Sequence, residues 1–248
     1  MHTIHKTKGF LKSRIIYDFN PFKRLRLKQF YRRFITQGDL CFDLGAHTGN
    51  HTRVWLRMGA RVIALEPQPL FVNLMKSKLA SYPDLVIIQK AVADRPGRQL
   101  FKICSQNPSV STLSDDWMKE MWKYDDSLIW DETFEVEVTT LDELIGDYGL
   151  PAFCKIDVEG YEERVLSELS IGLPALSFEF FPTTPRRTVD CIEILGKLGP
   201  YLFNWSLADS FRFRSPSWMN SEEMVREIED YSGKKSGDIY AISQKQSI

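Results

Sequence analysis

Residues able to do chemistry gather in two stretches of this 248-residue chain. The first, Asp43-Leu44-Gly45-Ala46-His47-Thr48-Gly49, sets an acid ahead of two glycines. Glu66 follows about 20 residues beyond this turn, where a ribose hydroxyl needs an acceptor. Residues 40–66 read as an apolar strand, a glycine turn, a short helix, a second apolar strand and a carboxylate. That order is the mononucleotide half of a doubly wound α/β sheet, whose ligand sits on the turn after the first strand. Gly45 lets the backbone turn off the strand, and Gly49 permits close approach of a ligand or a helix.

The chemistry of the turn narrows the ligand. The dinucleotide fingerprint G-x-G-x-x-G is missing, because the residues from Gly45 read G-A-H-T-G-N. An acid at position 43 would repel a pyrophosphate and suits a ligand ammonium. A zwitterionic end near Asp43 and a ribose reaching Glu66 point to S-adenosylmethionine. Ala46, His47, Asn50 and Pro67 lie on the same two turns and, together with Asp157 further along the chain, complete the expected cofactor contacts.

The second stretch is Lys155-Ile156-Asp157-Val158-Glu159-Gly160-Tyr161-Glu162. Its acids flank the end of another strand, where the crevice of an open α/β sheet lies. Asp157 is expected in that crevice because its strand should neighbour the first one. Glu179 ends a further strand on the same rim. Three carboxylate oxygens could hold Mg²⁺; one could equally act as a general base, and spacing does not decide between these roles.

The elements that position these groups follow from hydrophobic period and punctuation. Strands are expected over 40–44, 61–66, 85–92, 152–157, 175–179, 201–207 and 238–243. A helix opens at Pro67-Gln68-Pro69 with a buried stripe of Leu70, Phe71, Leu74, Met75 and Leu79. Arg98–Ile103 and Phe134–Val138 alternate and should pair as an antiparallel ribbon. Between them, residues 104–133 hold Asn107, Ser109, Ser111, Trp117, Trp122 and Trp130, and are expected to form a partly helical lid. Thr140-Leu141-Asp142-Glu143 is a capping box. Later helices are expected after Gly160, over 185–198, and after a cap at Ser221.

Residues 1–37 form a separate expectation. Lys6, Lys8, Lys12, Arg14, Lys23 and Arg24, with further Lys and Arg to position 33, face the single acid Asp18. Phe10, Leu11, Ile15, Ile16, Phe19, Phe22, Phe30 and Phe34 recur loosely as in a helix, with a break at Asn20-Pro21. This is a basic helical extension or cap on a domain spanning 38–248. The whole chain carries a net charge of −1, which gives no general pull toward nucleic acid. Cys41, Cys104, Cys154 and Cys191 are widely spaced and read as buried reduced thiols. No stretch is long and apolar enough for a membrane span, so a cytoplasmic location is expected.

FDLGAHTGNHT, VIALEPQP, VTTLDELI and KIDVEGYEERVL together resemble the FkbM-type methyltransferases over residues 38–182. The resemblance implies a class I, Rossmann-like, seven-stranded sheet with helices on both faces, six strands being parallel and one antiparallel. It implies S-adenosylmethionine as cofactor and methyl transfer, usually to a hydroxyl of a sugar, polyketide or other small metabolite. His47 departs from the general acid-x-Gly-x-Gly-x-Gly pattern, and this sets it against the cofactor's methionine part or the substrate.

An alcohol nucleophile needs a proton acceptor. Asp157 is the first choice, with Glu159 and His47 behind it, while Ser111 and Glu179 are expected to face the acceptor. The favoured reading has no metal. Alternatives are a metal-dependent O-methyltransferase using Asp157, Glu159 and Glu179, and a methyltransferase-like domain that binds without chemistry. The expected partner is a small-molecule or glycan acceptor and not nucleic acid. Oligomeric state is open, a dimer being compatible.

Overall fold

The structure, a computed structural model, describes residues 21–244. Its elements run α1 (Pro21–Tyr31), β1 (Leu40–Leu44), α2 (Asn50–Leu56), β2 (Arg61–Leu65), α3 (Pro69–Lys78), β3 (Leu85–Ile88), β4 (Ala91–Val92) and β5 (Gly97–Ile103). The chain continues with α4 (Asp115–Tyr124), β6 (Glu132–Thr139), α5 (Leu141–Tyr148), β7 (Phe153–Ile156), α6 (Glu162–Ser167) and β8 (Ala175–Phe180). It ends in α7 (Pro185–Leu198), β9 (Tyr201–Leu207), α8 (Ser221–Glu229) and β10 (Gly237–Ser243).

Seven strands form one sheet in the order β3-β2-β1-β7-β8-β10-β9. β10 is antiparallel to both β8 and β9, and the other pairs are parallel. This gives six strands in one direction and one opposed, as the family resemblance implied. β1 and β7 are neighbours, with Asp43 opposite Lys155. The order reverses between these two strands, and this is where a doubly wound sheet opens its crevice.

Central parallel strands are covered on both faces and therefore read as continuous apolar runs. Successive side chains go to opposite cores. Phe42, Cys154 and Phe178 pack on one side with α5, α6 and α7 residues, and Cys41, Val62 and Phe153 pack on the other with Trp55 and Met75. All four cysteines are buried and unbridged.

Three local expectations are corrected. The strand expected over 85–92 is two strands: β3 stays in the main sheet, while β4 crosses to pair with β6. In α3, Leu70 is half exposed and Val72 takes the buried place. Asn220, not Ser221, caps α8; its side chain accepts the Glu223 N–H, and Glu223 answers on the Asn220 N–H. The helix at Leu141, by contrast, has the expected box on Thr140.

β5 and β6 pair antiparallel from Gly97↔Val138 to Ile103↔Glu132, as the alternation required. Between them a 3₁₀ turn at Pro108–Val110 and the helix α4 make up the lid. α1 and the residues after it put Leu27, Phe30, Tyr31 and Ile35 into the same core as Trp55 and Phe153. The rest of the expected basic extension, Lys6 to Asp18 with Phe10 to Phe19, lies outside the described residues.

Candidate active site

The cavity runs along the carboxyl ends of the parallel strands and has a volume of about 390 Å³. Crossing it from β2 to β10, one meets Glu66, the Gly45–His47 turn, Asp157, Glu179 and Asp238, all in its wall. Ordinary small-ligand sites begin at about this size.

Glu66 ties the two turns at the β2 end of the cavity. Its Oε2 accepts the His47 N–H at 2.8 Å and its Oε1 accepts the Gln68 N–H at 2.9 Å. Burial pushes its carboxyl up to about 7, against the opposing pull of those two hydrogen bonds. His47 holds a left-handed backbone with φ 49°, a strained state for a non-glycine residue. Its ring lies 3.9 Å from the Phe71 ring, and its Nε2 is buried without a partner among the described residues. Burial lowers its pKa to about 4, so it is neutral at pH 7.

Two expected cofactor contacts stand behind the wall. Asp43 is fully buried; its Oδ2 accepts the Thr52 N–H at 3.0 Å and the Thr52 hydroxyl at 2.5 Å, which fixes the first turn of α2. In this geometry Asp43 serves the helix and does not line the cavity. Gly49 is the left-handed residue before α2, and a Cβ there would come within 3.1 Å of Met75 and Leu79. Its close approach is to a helix. Gly45 is needed for a similar reason, because a Cβ would fall 1.8 Å from the Asp157 carbonyl oxygen. Gly45, Ala46, Asn50 and Pro67 do line the cavity.

At the other end, Lys155 is a buried counter-charge to which the sequence pattern alone assigned no role. It pairs with Asp157 and lies beside Asp43 and Asp238. Burial works against its charge, but these three carboxylates outweigh it and keep it protonated. Burial likewise opposes ionisation of Asp157, yet the Lys155 ammonium and hydrogen bonds from Lys155 and Glu179 hold it below the usual carboxylate range. Burial, then the Asp157 charge, pushes both Glu159 and Glu179 well above it. Oxygens of Asp157, Glu159 and Glu179 all lie within 4.8 Å of one another. Such a cluster holds protons unequally: Asp157 is ionised, and Glu179 donates to it.

The segment expected to be a lid borders the remaining side. Ser109 and Ser111 line the cavity, whereas Asn107 and Thr112 do not. Thr112 instead donates to the Glu159 carbonyl at 2.6 Å, and Gln68 Nε2 donates to the Pro108 carbonyl at 3.1 Å. Trp117 packs on Gly160, where a Cβ would come 2.1 Å from its ring, and edge-on against Phe181. Arg187 reaches Glu120 at 2.8 Å from the start of α7. Asp238 was not assigned to the site from sequence, and at His51 the sequence favoured a plain helix residue over a catalytic one. Asp238 sits opposite Glu179 in the β8–β10 ladder, a relation only the strand order reveals.

The residues fit an adenosine-bearing sulfonium. Glu66 offers buried lone pairs beside a glycine turn, His47 Nε2 awaits a partner, and the acidic far end tolerates a cation. Among the described residues, no helix is long and apolar enough to cross a membrane.

A family model described as the methyltransferase FkbM domain matches residues 43–202. No curated protein matches the chain. One similar solved structure is a TehB-like SAM-dependent methyltransferase from Corynebacterium glutamicum. It is 11% identical and aligned over 98% of this chain and 100% of that one, with a TM-score of 0.48. A precorrin-6Y C5,15-methyltransferase from Geobacter metallireducens is 12% identical over 89% and 87% of the two chains, with a TM-score of 0.47. An O-methyltransferase from Bacillus cereus in complex with SAH is 11% identical over 98% and 90%, with a TM-score of 0.45.

Proposed function

The chain belongs to the FkbM methyltransferase family, and from that premise we propose that it moves a methyl group from S-adenosylmethionine to a hydroxyl oxygen of a sugar or other small metabolite. The observation that carries this reading is one continuous cavity with Glu66 at one end and the Asp157–Glu159–Glu179 cluster at the other.

Glu66 would hold the ribose, with Gln68 and Pro67 beside it, and the Gly45–His47 turn would hold the methionine part. The cofactor supplies an activated methyl. What is left to the protein is to align the acceptor oxygen and to receive its proton. An oxygen that has begun to bond a methyl group is a strong acid, so an ionised carboxylate in the ordinary acid range suffices to take the proton. Asp157 is that carboxylate. Lys155 keeps it charged, and Glu179 shares its load.

A second reading, with a divalent cation on Asp157, Glu159 and Glu179, is favoured only by the closeness of their oxygens. The Lys155 ammonium already compensates Asp157, which supports the metal-free reading.

Two measurements test the proposal. S-adenosylhomocysteine should bind the wild-type chain and the Asp157→Asn variant alike in calorimetry. Transfer of labelled methyl to a panel of glycosides and polyols should fall at least about 100-fold in that variant, the scale of a lost general base. Full turnover by Asp157→Asn would refute its role, and loss of all activity in EDTA would favour the metal.

A further inference from the structure

The side of the cavity formed by α2 contains a histidine that the proposed reaction does not use. His51 lies in the cavity wall, on the helix turn that begins after Gly49. Its Nδ1 lies 2.8 Å from the hydroxyl of Tyr31, contributed by the N-terminal helix α1. The two rings meet edge to face at 5.7 Å, and Trp55 closes on both, 6.2 Å from His51 and 5.2 Å from Tyr31.

This arrangement selects one tautomer. Tyr31 is completely buried, and among the described residues its hydroxyl has no other hydrogen-bond partner. If Nδ1 carried the proton and donated to Tyr31, the phenolic O–H would be left as a buried donor with nothing to receive it, which is costly. If Tyr31 donates to Nδ1, every buried group is satisfied and the ring proton goes to Nε2. That nitrogen is not among the sealed, partnerless atoms. With Nδ1 turned to α1, Nε2 is the ring nitrogen left for the cavity that His51 lines. The charges that bear on the ring are those of Lys155, Asp157 and Lys23. Burial lowers the ring's pKa to about 3, so it stays neutral.

We propose that Tyr31 is a positioning residue that locks His51 as an Nε2–H donor, and that this N–H holds an oxygen of the methyl acceptor beside Asp157. The pair would thus make acceptor recognition depend on α1. The role as acceptor donor rests on the functional reading above; the tautomer does not. A neutral donor suits this place, since it orients a hydroxyl oxygen through a lone pair while Asp157 receives the proton of that hydroxyl.

The test is ¹⁵N NMR of the full chain labelled at its histidines. Only His2, His5, His47 and His51 contribute, which makes assignment by His51→Gln and His47→Gln direct. The expected wild-type spectrum shows His51 protonated at Nε2 and bare at Nδ1 from pH 6 to 8. In Tyr31→Phe, which keeps the ring packing, it should show both tautomers. Glycerol is the hydroxyl probe: added with S-adenosylhomocysteine bound, it should shift the His51 Nε2–H resonance saturably in the wild type. An Nδ1–H tautomer in the wild type, an unchanged tautomer in Tyr31→Phe, or a resonance indifferent to glycerol would each overturn the proposal. Calorimetry with S-adenosylhomocysteine separates the two levels. Absence of binding by the wild type refutes the functional reading and leaves the tautomer assignment standing, whereas affinity within about twofold in Tyr31→Phe shows that the hydroxyl acts on the acceptor side.

Discussion

Glu66 is a carboxyl whose protonation should govern cofactor binding. Its pKa of about 7 in the folded protein lies above the ordinary 4.5, so the ligand-free protein holds the proton through mildly acidic pH. Accepting two ribose hydroxyls requires the ionised form. Binding should therefore release a proton below pH 7, and affinity for S-adenosylhomocysteine should rise up to about tenfold per pH unit until it levels off above pH 7. Calorimetry in buffers of different ionisation enthalpy reads both effects, and Glu66→Gln should flatten the profile. The raised pKa has the opposite sign for stability. The folded state binds this proton more tightly, so the group's contribution is present below pH 4.5 and is lost as pH rises through 7. The place of Glu66 in the cavity wall was legible in the sequence, because it follows from its position directly after β2. Asp43 was legible as important, but its partner was not. An acid at a strand end can face a ligand or the next helix, and the Thr52 contacts are visible only in the fold.

Among the elements, the lid depends most on a single side chain. Trp117 has no exposed surface and is the anchor of α4 against Gly160, Trp130 and Phe181. Truncating a buried tryptophan costs about 3–5 kcal/mol. Because α4 belongs to the lid and not to the main sheet, Trp117→Ala should express this locally: hydrogen exchange over 105–131 should quicken by at least about 100-fold, while β1, β7 and β8 keep their protection. Uniform loss across the sheet would show that the lid is part of the cooperative core. The aromatic content of this segment already indicated an ordered wall. Its docking partner was not legible, because Gly160 lies 43 positions further along and carries no side chain to mark the contact. The crossing of β4 to the small sheet was hidden for a related reason: residues 85–92 are uniformly strand-like, and the switch between sheets depends on which neighbours are present.

At the scale of the molecule, α1 is as much core as cap. Leu27, Phe30, Tyr31 and Ile35 are buried against β1, α2 and β10 residues. At about 1.5–3 kcal/mol each they contribute roughly 6–12 kcal/mol, comparable with the whole net stability of a domain. A chain lacking residues 1–36 should therefore show no cooperative unfolding transition by circular dichroism. The sheet order was largely legible, since alternating strand and helix patterns leave few topologies. That one strand would run antiparallel was legible only through the family resemblance, and its place between β8 and β9 was not, as no local signal says that the last of seven strands goes between two made earlier. That placement bears on how the protein comes into being. During synthesis β8 and β9 leave the ribosome before the strand that joins them in the sheet. Phe30 and Phe34 must wait for Tyr240, on which both rings pack. Tyr31 thus reaches His51 within a finished core only once β10 has been made, and on the proposed role of that pair the nascent chain should recognise a methyl acceptor only after nearly all of its sheet has been translated.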